Sequence, residues 1–172
     1  MSNDRMYNVI FPVWLLWLVP PVILVVALGN FVVDSLVLLL SCRLVTGKLE
    51  GRSLWSIYRH SILKIWLFGF LADFIGSFPL IAVMVTDRWA GLIPLPGQVE
   101  LAFMLNPWLN GVALLLVSLS VALAGILVFV FNYRFALRGV IREKGPRLKI
   151  ALVLAVLTAP YTLLIPTEWL YY

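Results

Sequence analysis

Residues 8–42 form an almost unbroken apolar run, and a run of this length is compatible with few folds outside a membrane. It is too long for one perpendicular transmembrane helix of about 20 residues and too short for two. Pro20 and Pro21 divide it, because proline disrupts a helix interior but is accepted in a first helical turn. We therefore expect a first helix from about Pro21 to Val45. Residues 8–19 would then form an interfacial or half-inserted segment.

The composition of the whole chain fits the same environment. Of its 172 residues, 63% are hydrophobic and 12% are charged, whereas a soluble domain is about 25% charged. We expect one all-α domain over residues 1–172, a polytopic bundle of four transmembrane helices with a proline-broken apolar N-terminal segment. The predicted spans are 21–45, 62–85, 108–132 and 149–165.

The connections between the spans carry their own predictions. Residues 54–64 are expected to lead into the second span as an amphipathic, interfacial stretch of helix. Residues 86–106 are expected to form an external loop, since Pro94, Pro96 and Gly97 are predicted to break any regular helix there.

Most of the basic residues fall in two clusters that flank apolar spans. The first runs from Arg43 to Lys64 and the second from Arg134 to Lys149. The positive-inside rule places both clusters in the cytoplasm, so we expect a multi-pass protein of the cell membrane with both termini outside. Nucleic acid is not an expected partner, because no aromatic side chains are interleaved to stack bases. The residues expected to bind anionic lipid headgroups are Arg134, Arg138, Arg142, Lys144, Arg147 and Lys149.

Two aspartates lie deep inside apolar stretches. Asp34 precedes Arg43 by nine positions, and Asp73 follows Lys64 by nine. At 1.5 Å per helical residue, both carboxyls are expected about 13 Å inside the same membrane face. A charged carboxylate at that depth costs about 2.5–3.5 kcal/mol, so such residues usually serve a site or bind a partner.

Small and polar residues accompany the two acids on their helix faces. Gly69, Asp73, Gly76 and Ser77 have the spacing of one helical face, and Asn30 shares a face with Asp34. Thr158 is nine residues from Lys149, which matches the depth of both acids. The predicted ion- or proton-binding residues are Asp34, Asp73, Asn30, Ser77 and Thr158.

No lysine or arginine lies near this predicted polar layer. We therefore expect at least one of the two carboxyls to carry a proton at neutral pH. Water, a bound cation or a basic residue from another subunit would be the alternatives to a shared proton. A protonated aspartate that only hydrogen-bonds a neighbouring helix is the structural alternative.

These residues favour three functions to different degrees. The first is movement of protons or small cations through the carboxylate pair, in a channel or transporter that acts as a homo-oligomer. The second is a non-catalytic accessory subunit of a larger membrane complex, whose acids pair with basic residues of a membrane protein partner. The third and most remote is an intramembrane aspartyl hydrolase.

The third function rests on a partial resemblance to lipoprotein signal peptidase. Its size, its span number and the Gly29-Asn30 pair before Asp34 are similar, as is Phe131-Asn132. The match ends there: Asp34 is not followed by arginine, and Tyr133-Arg134 replaces the expected acidic stretch. We therefore expect no enzyme. No cofactor or metal is expected either, because His60 and Cys42 are single and no nucleotide or zinc-protease motif occurs.

Three short stretches resemble a group of small four-helix integral membrane proteins of Gram-positive bacteria. They are residues 66–76 (WLFGFLADFIG), 131–133 (FNY) and 159–161 (APY). The resemblance implies a location in the cell membrane and carries no activity with it.

Overall fold

The computed structural model describes residues 20–45, 53–85 and 96–170, and within these ranges the chain is helical without strands. The predicted interfacial segment 8–19 lies outside them. A π-helical turn, Asn132–Ala136, follows the fourth α-helix directly, and 3-10 turns occupy Pro107–Leu109, Tyr161–Leu164 and Thr167–Leu170. The α-helices are α1 Pro20–Val45, α2 Leu54–Val85, α3 Gly97–Leu105, α4 Gly111–Phe131 and α5 Lys144–Leu157.

The four long helices form a ring in which α1 packs on α2, α2 on α4, α4 on α5, and α5 on α1. Neighbours run antiparallel: Trp66 of α2 contacts Ala27 of α1, whereas Tyr58, earlier in α2, contacts Ser35, later in α1. This up-and-down order brings the end of α1, the start of α2, the end of α4 and the start of α5 to one end of the bundle. The basic residues of all four segments therefore share that end.

The helix from Gly97 to Leu105 corrects the expectation of a loop without regular structure. Pro96 stands at the N-cap, and its carbonyl accepts the N–H of Val99 at 2.7 Å. Proline and glycine stop a helix when they fall in its interior, but at its first positions no hydrogen bond is lost. The prediction was wrong here because Pro96 is the N-cap of the helix and Gly97 is its first residue.

Local capping also sets where α4 begins. The side-chain oxygen of Asn110 accepts the backbone N–H groups of Val112 at 2.9 Å and of Ala113 at 3.2 Å. An N-cap asparagine satisfies donors that the first helical turn leaves unpaired. The third span thus starts at Gly111, a few residues after the predicted 108.

The core is divided into layers along the bundle. At the basic end, α1, α2, α5 and the segment that follows α4 bury apolar side chains, among them Leu38, Ile65, Ile150 and Leu137. At the other end the buried cluster comes from α2, α3, α4 and the turn Tyr161–Leu164, without a contribution from α1. The N-terminal half of α1, which lies away from the basic end and which we call its outer half, is therefore less covered than its C-terminal half.

The surface of the bundle is apolar to an unusual degree. Leu24 is 71% exposed, Leu44 is 85% exposed, and the long helices carry many such side chains on their outer faces. Water does not favour so large an exposed apolar surface. Among the described residues, four segments are long and apolar enough to cross a membrane: Val22–Val45, Leu54–Val83, Gly111–Ala136 and Lys144–Leu164. These segments indicate a membrane location, and their number agrees with the four helices expected from the sequence.

Candidate functional site

A cavity of about 110 Å³ lies between α1, α2 and the residues that follow α5. One water takes about 30 Å³ in the liquid, so the cavity has room for about three or four. Its wall consists of Asn30, Val33 and Asp34 from α1, of Trp66, Gly69, Phe70 and Asp73 from α2, and of Leu157, Thr158 and Ala159.

The two aspartates meet at this cavity from different helices. Asp34 is only 5% exposed. The Oδ1 atom of Asp73 is buried and has no hydrogen-bond partner in the part of the chain that the structure describes. None of the described residues on this wall is a lysine, an arginine or a histidine. Two carboxyls therefore share a small space without a cation from the same wall, which leaves their charge to be neutralised by a proton or a bound cation.

Gly69 provides the room that Asp34 occupies. A Cβ atom at Gly69 would lie 3.7 Å from Oδ2 of Asp34, which is an ordinary contact distance. A larger side chain at this position would extend into the space of the carboxyl. The absence of a side chain on α2 therefore lets the acid of α1 face α2 directly.

Trp66 holds α1 against α2 beside the cavity. Its indole N–H donates to the carbonyl of Ala27 at 2.9 Å. Its ring also makes edge-to-face contacts with Phe31 of α1 and with Phe70, four residues later on α2. Aromatic pairs in this geometry are favourable beyond the area they bury. Trp66 therefore connects α2 to two residues of α1, Ala27 and Phe31.

The third side of the cavity is the place where α5 stops. Pro160 has no N–H for the Val156 carbonyl, and proline disfavours helical conformation in the residue before it. The hydroxyl of Tyr161 donates to that carbonyl instead, at 2.7 Å. Thr158 is the C-cap, and its hydroxyl donates to the Leu154 carbonyl at 2.8 Å. The fourth span, predicted as helix to 165, is regular α-helix only to Leu157.

Four of the five predicted site residues come together in this structure. Asn30, Asp34, Asp73 and Thr158 line the cavity. Ser77 does not belong to its wall; it is buried, and its hydroxyl donates to the Asp73 carbonyl at 2.8 Å and to the Phe74 carbonyl at 3.1 Å. Ser77 is therefore placed to support the backbone of α2 near Pro79.

Sequence reasoning missed Trp66 and Phe70 as wall residues. Trp66, Gly69, Phe70 and Asp73 have the spacing i, i+3, i+4 and i+7, which is one face of a helix. That spacing was available in the sequence. Aromatic residues at this spacing on an apolar helix do not by themselves distinguish a cavity wall from a packed or lipid-facing surface.

The residues at the basic end that are predicted to bind lipid headgroups differ in their exposure. Arg134, Arg138, Arg142, Lys144 and Lys149 are exposed. Arg147 is only 9% exposed; its guanidinium lies 4.6 Å from the centre of the Tyr133 ring and donates to the Ile141 carbonyl at 3.4 Å. Arg147 thus ties α5 to the segment after α4.

Asn132 is another buried polar residue, and the sequence did not single it out as a site. It is fully buried, it begins the π-helical turn, and neither of its side-chain amide atoms has a partner within the described ranges. Buried polar atoms are almost always hydrogen-bonded, and π-helical turns often mark functional positions.

Comparison with protein-family models, with curated proteins and with solved structures finds no match for this chain. Among the residues that the structure describes, no group of three or more histidine, cysteine, aspartate or glutamate side chains is placed to hold a metal ion. The chemistry of the site must therefore be inferred from its own residues.

Proposed function

We propose that this protein is an integral membrane protein that moves protons or small cations through the cavity between Asp34 and Asp73. The observation that carries the proposal is the pair of carboxyls, one from α1 and one from α2, on the wall of one cavity that contains no basic side chain. Acids inside membrane proteins commonly mark ion and proton pathways, because their burial is otherwise costly.

The proposed arrangement in the membrane follows the distribution of charge. The four candidate spans cross the bilayer, the basic end of the bundle lies in the cytoplasm, and both termini lie outside. The five exposed basic residues near the start of α5 then meet the anionic lipid headgroups of the inner leaflet. Arg147 is left out of that contact, since its guanidinium packs on Tyr133.

Transport would take place in a homo-oligomer. A cavity of about 110 Å³ is much too small to be a water-filled pore through one chain. The outer half of α1 exposes large apolar side chains such as Leu24 and Leu28, which a second copy can cover. A conducting path would then form where the cavities of neighbouring copies meet.

A second candidate function is supported by the same two acids. The cavity wall supplies no basic partner for Asp34 or Asp73, and a neighbouring membrane protein can supply one from its own span. The chain would then be a non-catalytic accessory subunit. A stoichiometric partner that co-purifies with the wild type and is lost in Asp34→Asn would support this function over transport.

The test of the main proposal is flux through the purified protein. The full chain is reconstituted into liposomes that contain a pH-sensitive dye, and a pH gradient is imposed. Charge-assisted contacts are worth about 1.5–3 kcal/mol, so Asp34→Asn and Asp73→Asn should each slow dissipation of the gradient at least about tenfold.

The matched control is Glu143→Gln, which makes the same acid-to-amide change before α5, away from the cavity. It should leave the flux unchanged. Wild-type protein that is folded and reconstituted but moves neither protons nor alkali cations would rule out the proposal.

A further inference from the structure

The end of α5 adds a third source of negative potential to the cavity. The C-terminus of a helix carries a partial charge of about −0.5, which favours cations. Here α5 ends at Leu157, and Leu157, Thr158 and Ala159 all line the cavity. Interrupted helices inside membranes commonly place their ends at ion and substrate sites. Two carboxyls and a helix end therefore point to one positively charged occupant.

The wall is not built for a bare metal ion. Hard cations such as Ca²⁺ take about six to eight oxygen ligands. Among the described residues, no group of three or more acidic, histidine or cysteine side chains is placed to hold a metal ion, and much of the wall around the two carboxyls is apolar. The apolar wall residues are Val33, Trp66, Phe70, Leu157 and Ala159.

Aromatic and aliphatic side chains beside two carboxyls suit a cation that has both N–H donors and an apolar body. Carboxylates accept charge-assisted hydrogen bonds from N–H groups, and planar donors can do so in pairs. Tryptophan and phenylalanine attract organic cations through their ring faces. The volume of about 110 Å³ limits such a cation to a few non-hydrogen atoms.

We propose that the cargo of this cavity is a small monovalent organic cation of the alkylammonium or guanidinium class. Its N–H groups would bind the carboxyls of Asp34 and Asp73, of which one is ionised and balances the charge of the cation while the other keeps its proton, and its apolar surface would contact Trp66 and Phe70. Asp34 is nine-tenths buried on this wall, and Oδ1 of Asp73 has no partner within the described ranges, so both can accept such donors. The inference rests on the proposed function and names its substrate class.

Protons and the organic cation would compete for the same groups. The titratable residues on the wall are Asp34 from α1 and Asp73 from α2, whereas the end of α5 contributes none. A protonated carboxyl loses its charge and one of its acceptor positions. Binding of the cation should therefore weaken as the pH falls, and the cation and the proton can exchange across the membrane.

The experiment uses guanidinium and methylguanidinium as probes, because both stay charged and cross bare lipid poorly. Uptake is measured in liposomes that contain the full chain, with potassium and tetrabutylammonium at equal concentration as the inorganic and the oversized controls. We expect saturable uptake of both probes, inhibited by neither control. Asp34→Asn and Asp73→Asn should each lower it about tenfold, while Glu143→Gln should not.

For variants that do not reconstitute well into liposomes, ligand binding is measured in detergent instead. In detergent, millimolar dimethylammonium chloride should raise the Tm of the wild type more than potassium chloride does, since a ligand stabilises the state that it binds. Ala159→Leu, which keeps both acids but fills the wall after α5, should lose that difference.

The outcomes separate this inference from the function on which it rests. If protons move through the wild type but the guanidinium probes neither move nor slow them, the organic substrate is wrong and proton transport stands. Equal uptake of potassium and guanidinium would also overturn the substrate class. If neither protons nor any cation moves, the proposed function fails and this inference fails with it.

Discussion

Two glycines of α2 face two different neighbours, and the comparison explains how the bundle is built. A Cβ at Gly76 would lie 2.5 Å from Cβ of Ala124 on α4 and 2.9 Å from its Cα, closer than real atoms approach. A Cβ at Gly69 would lie 3.7 Å from the Asp34 carboxyl on α1 and would fit. Gly76 allows α2 and α4 to pack closely, whereas Gly69 leaves room for the carboxyl of Asp34.

The two contacts differ in chemistry as well as in distance. In lipid, small residues let helix backbones approach, and dispersion replaces the hydrophobic effect as the source of attraction. The α2–α4 contact uses this rule, with Ala72 and Val128 buried beside it. The outer part of the α1–α2 contact instead depends on Trp66 and encloses polar space. We infer that α2 and α4 form the rigid part of the molecule and that α1 is the helix that can move.

The largest loss of stability is expected from Gly76→Ala. The added methyl group meets the backbone of α4, and overpacking of this kind costs about 1–3 kcal/mol. The measurement is the thermal denaturation of purified protein in detergent. Gly29→Ala is the matched control, because a Cβ there has no neighbour within 4 Å. Equal Tm values for the two variants would show that α2 and α4 are not in close contact.

Asn110→Ala should cause the next largest loss of stability, again in the rigid part formed by α2 and α4. Its side-chain oxygen accepts two N–H groups at the start of α4, and loss of an N-cap typically costs about 1 kcal/mol. Asn110→Asp keeps the acceptor and should restore the Tm. Failure of the aspartate variant to recover stability would remove capping as the explanation.

Trp66→Phe should destabilise the protein less, and only on the α1 side. It removes the N–H that donates to the Ala27 carbonyl, and hydrogen bonds between membrane helices average about 0.6 kcal/mol. Hydrogen exchange in detergent should quicken for the amides of residues 22–33 and stay unchanged for α4. Faster exchange in α4 would contradict the division into a rigid and a mobile part.

Gly69→Ala should change stability least. The methyl group finds ordinary contact with Asp34, and alanine favours a helix over glycine by up to about 1 kcal/mol, so the Tm should be equal or higher. Gly69→Leu, in contrast, should fill the cavity and lower cation flux while α2 and α4 remain packed. Retained flux in the leucine variant would mean that ions do not pass this cavity.

The sequence predicted four helices long and apolar enough to span a membrane, because the length of an apolar run can be compared directly with the bilayer thickness. It also predicted that Asp34, Asp73 and Thr158 lie at one depth, with Asn30 one turn from Asp34, since depth in a helix is a matter of counting residues. All four line the cavity. It could not show that the Ser77 hydroxyl donates to a carbonyl of its own helix. A serine hydroxyl can form a hydrogen bond either with its own helix or with a neighbouring one.

Two further features needed the three-dimensional structure. The early end of α5 depends on Tyr161 taking the place of the donor that Pro160 lacks, and a proline alone does not say whether a helix ends or bends. The burial of Arg147 depends on the position of Tyr133, which the π-helical turn determines. Charge clusters in a sequence do not reveal which of their members face water.

A double-mutant cycle on the two acids tests the shared cavity most directly. Flux is measured for the wild type, Asp34→Asn, Asp73→Asn and the double variant in the same liposomes. Residues that act as a unit have strongly non-additive effects. We predict that each single variant loses about as much flux as the double variant. Losses that multiply, or a single variant with wild-type flux, would show that the two carboxyls do not work in one site.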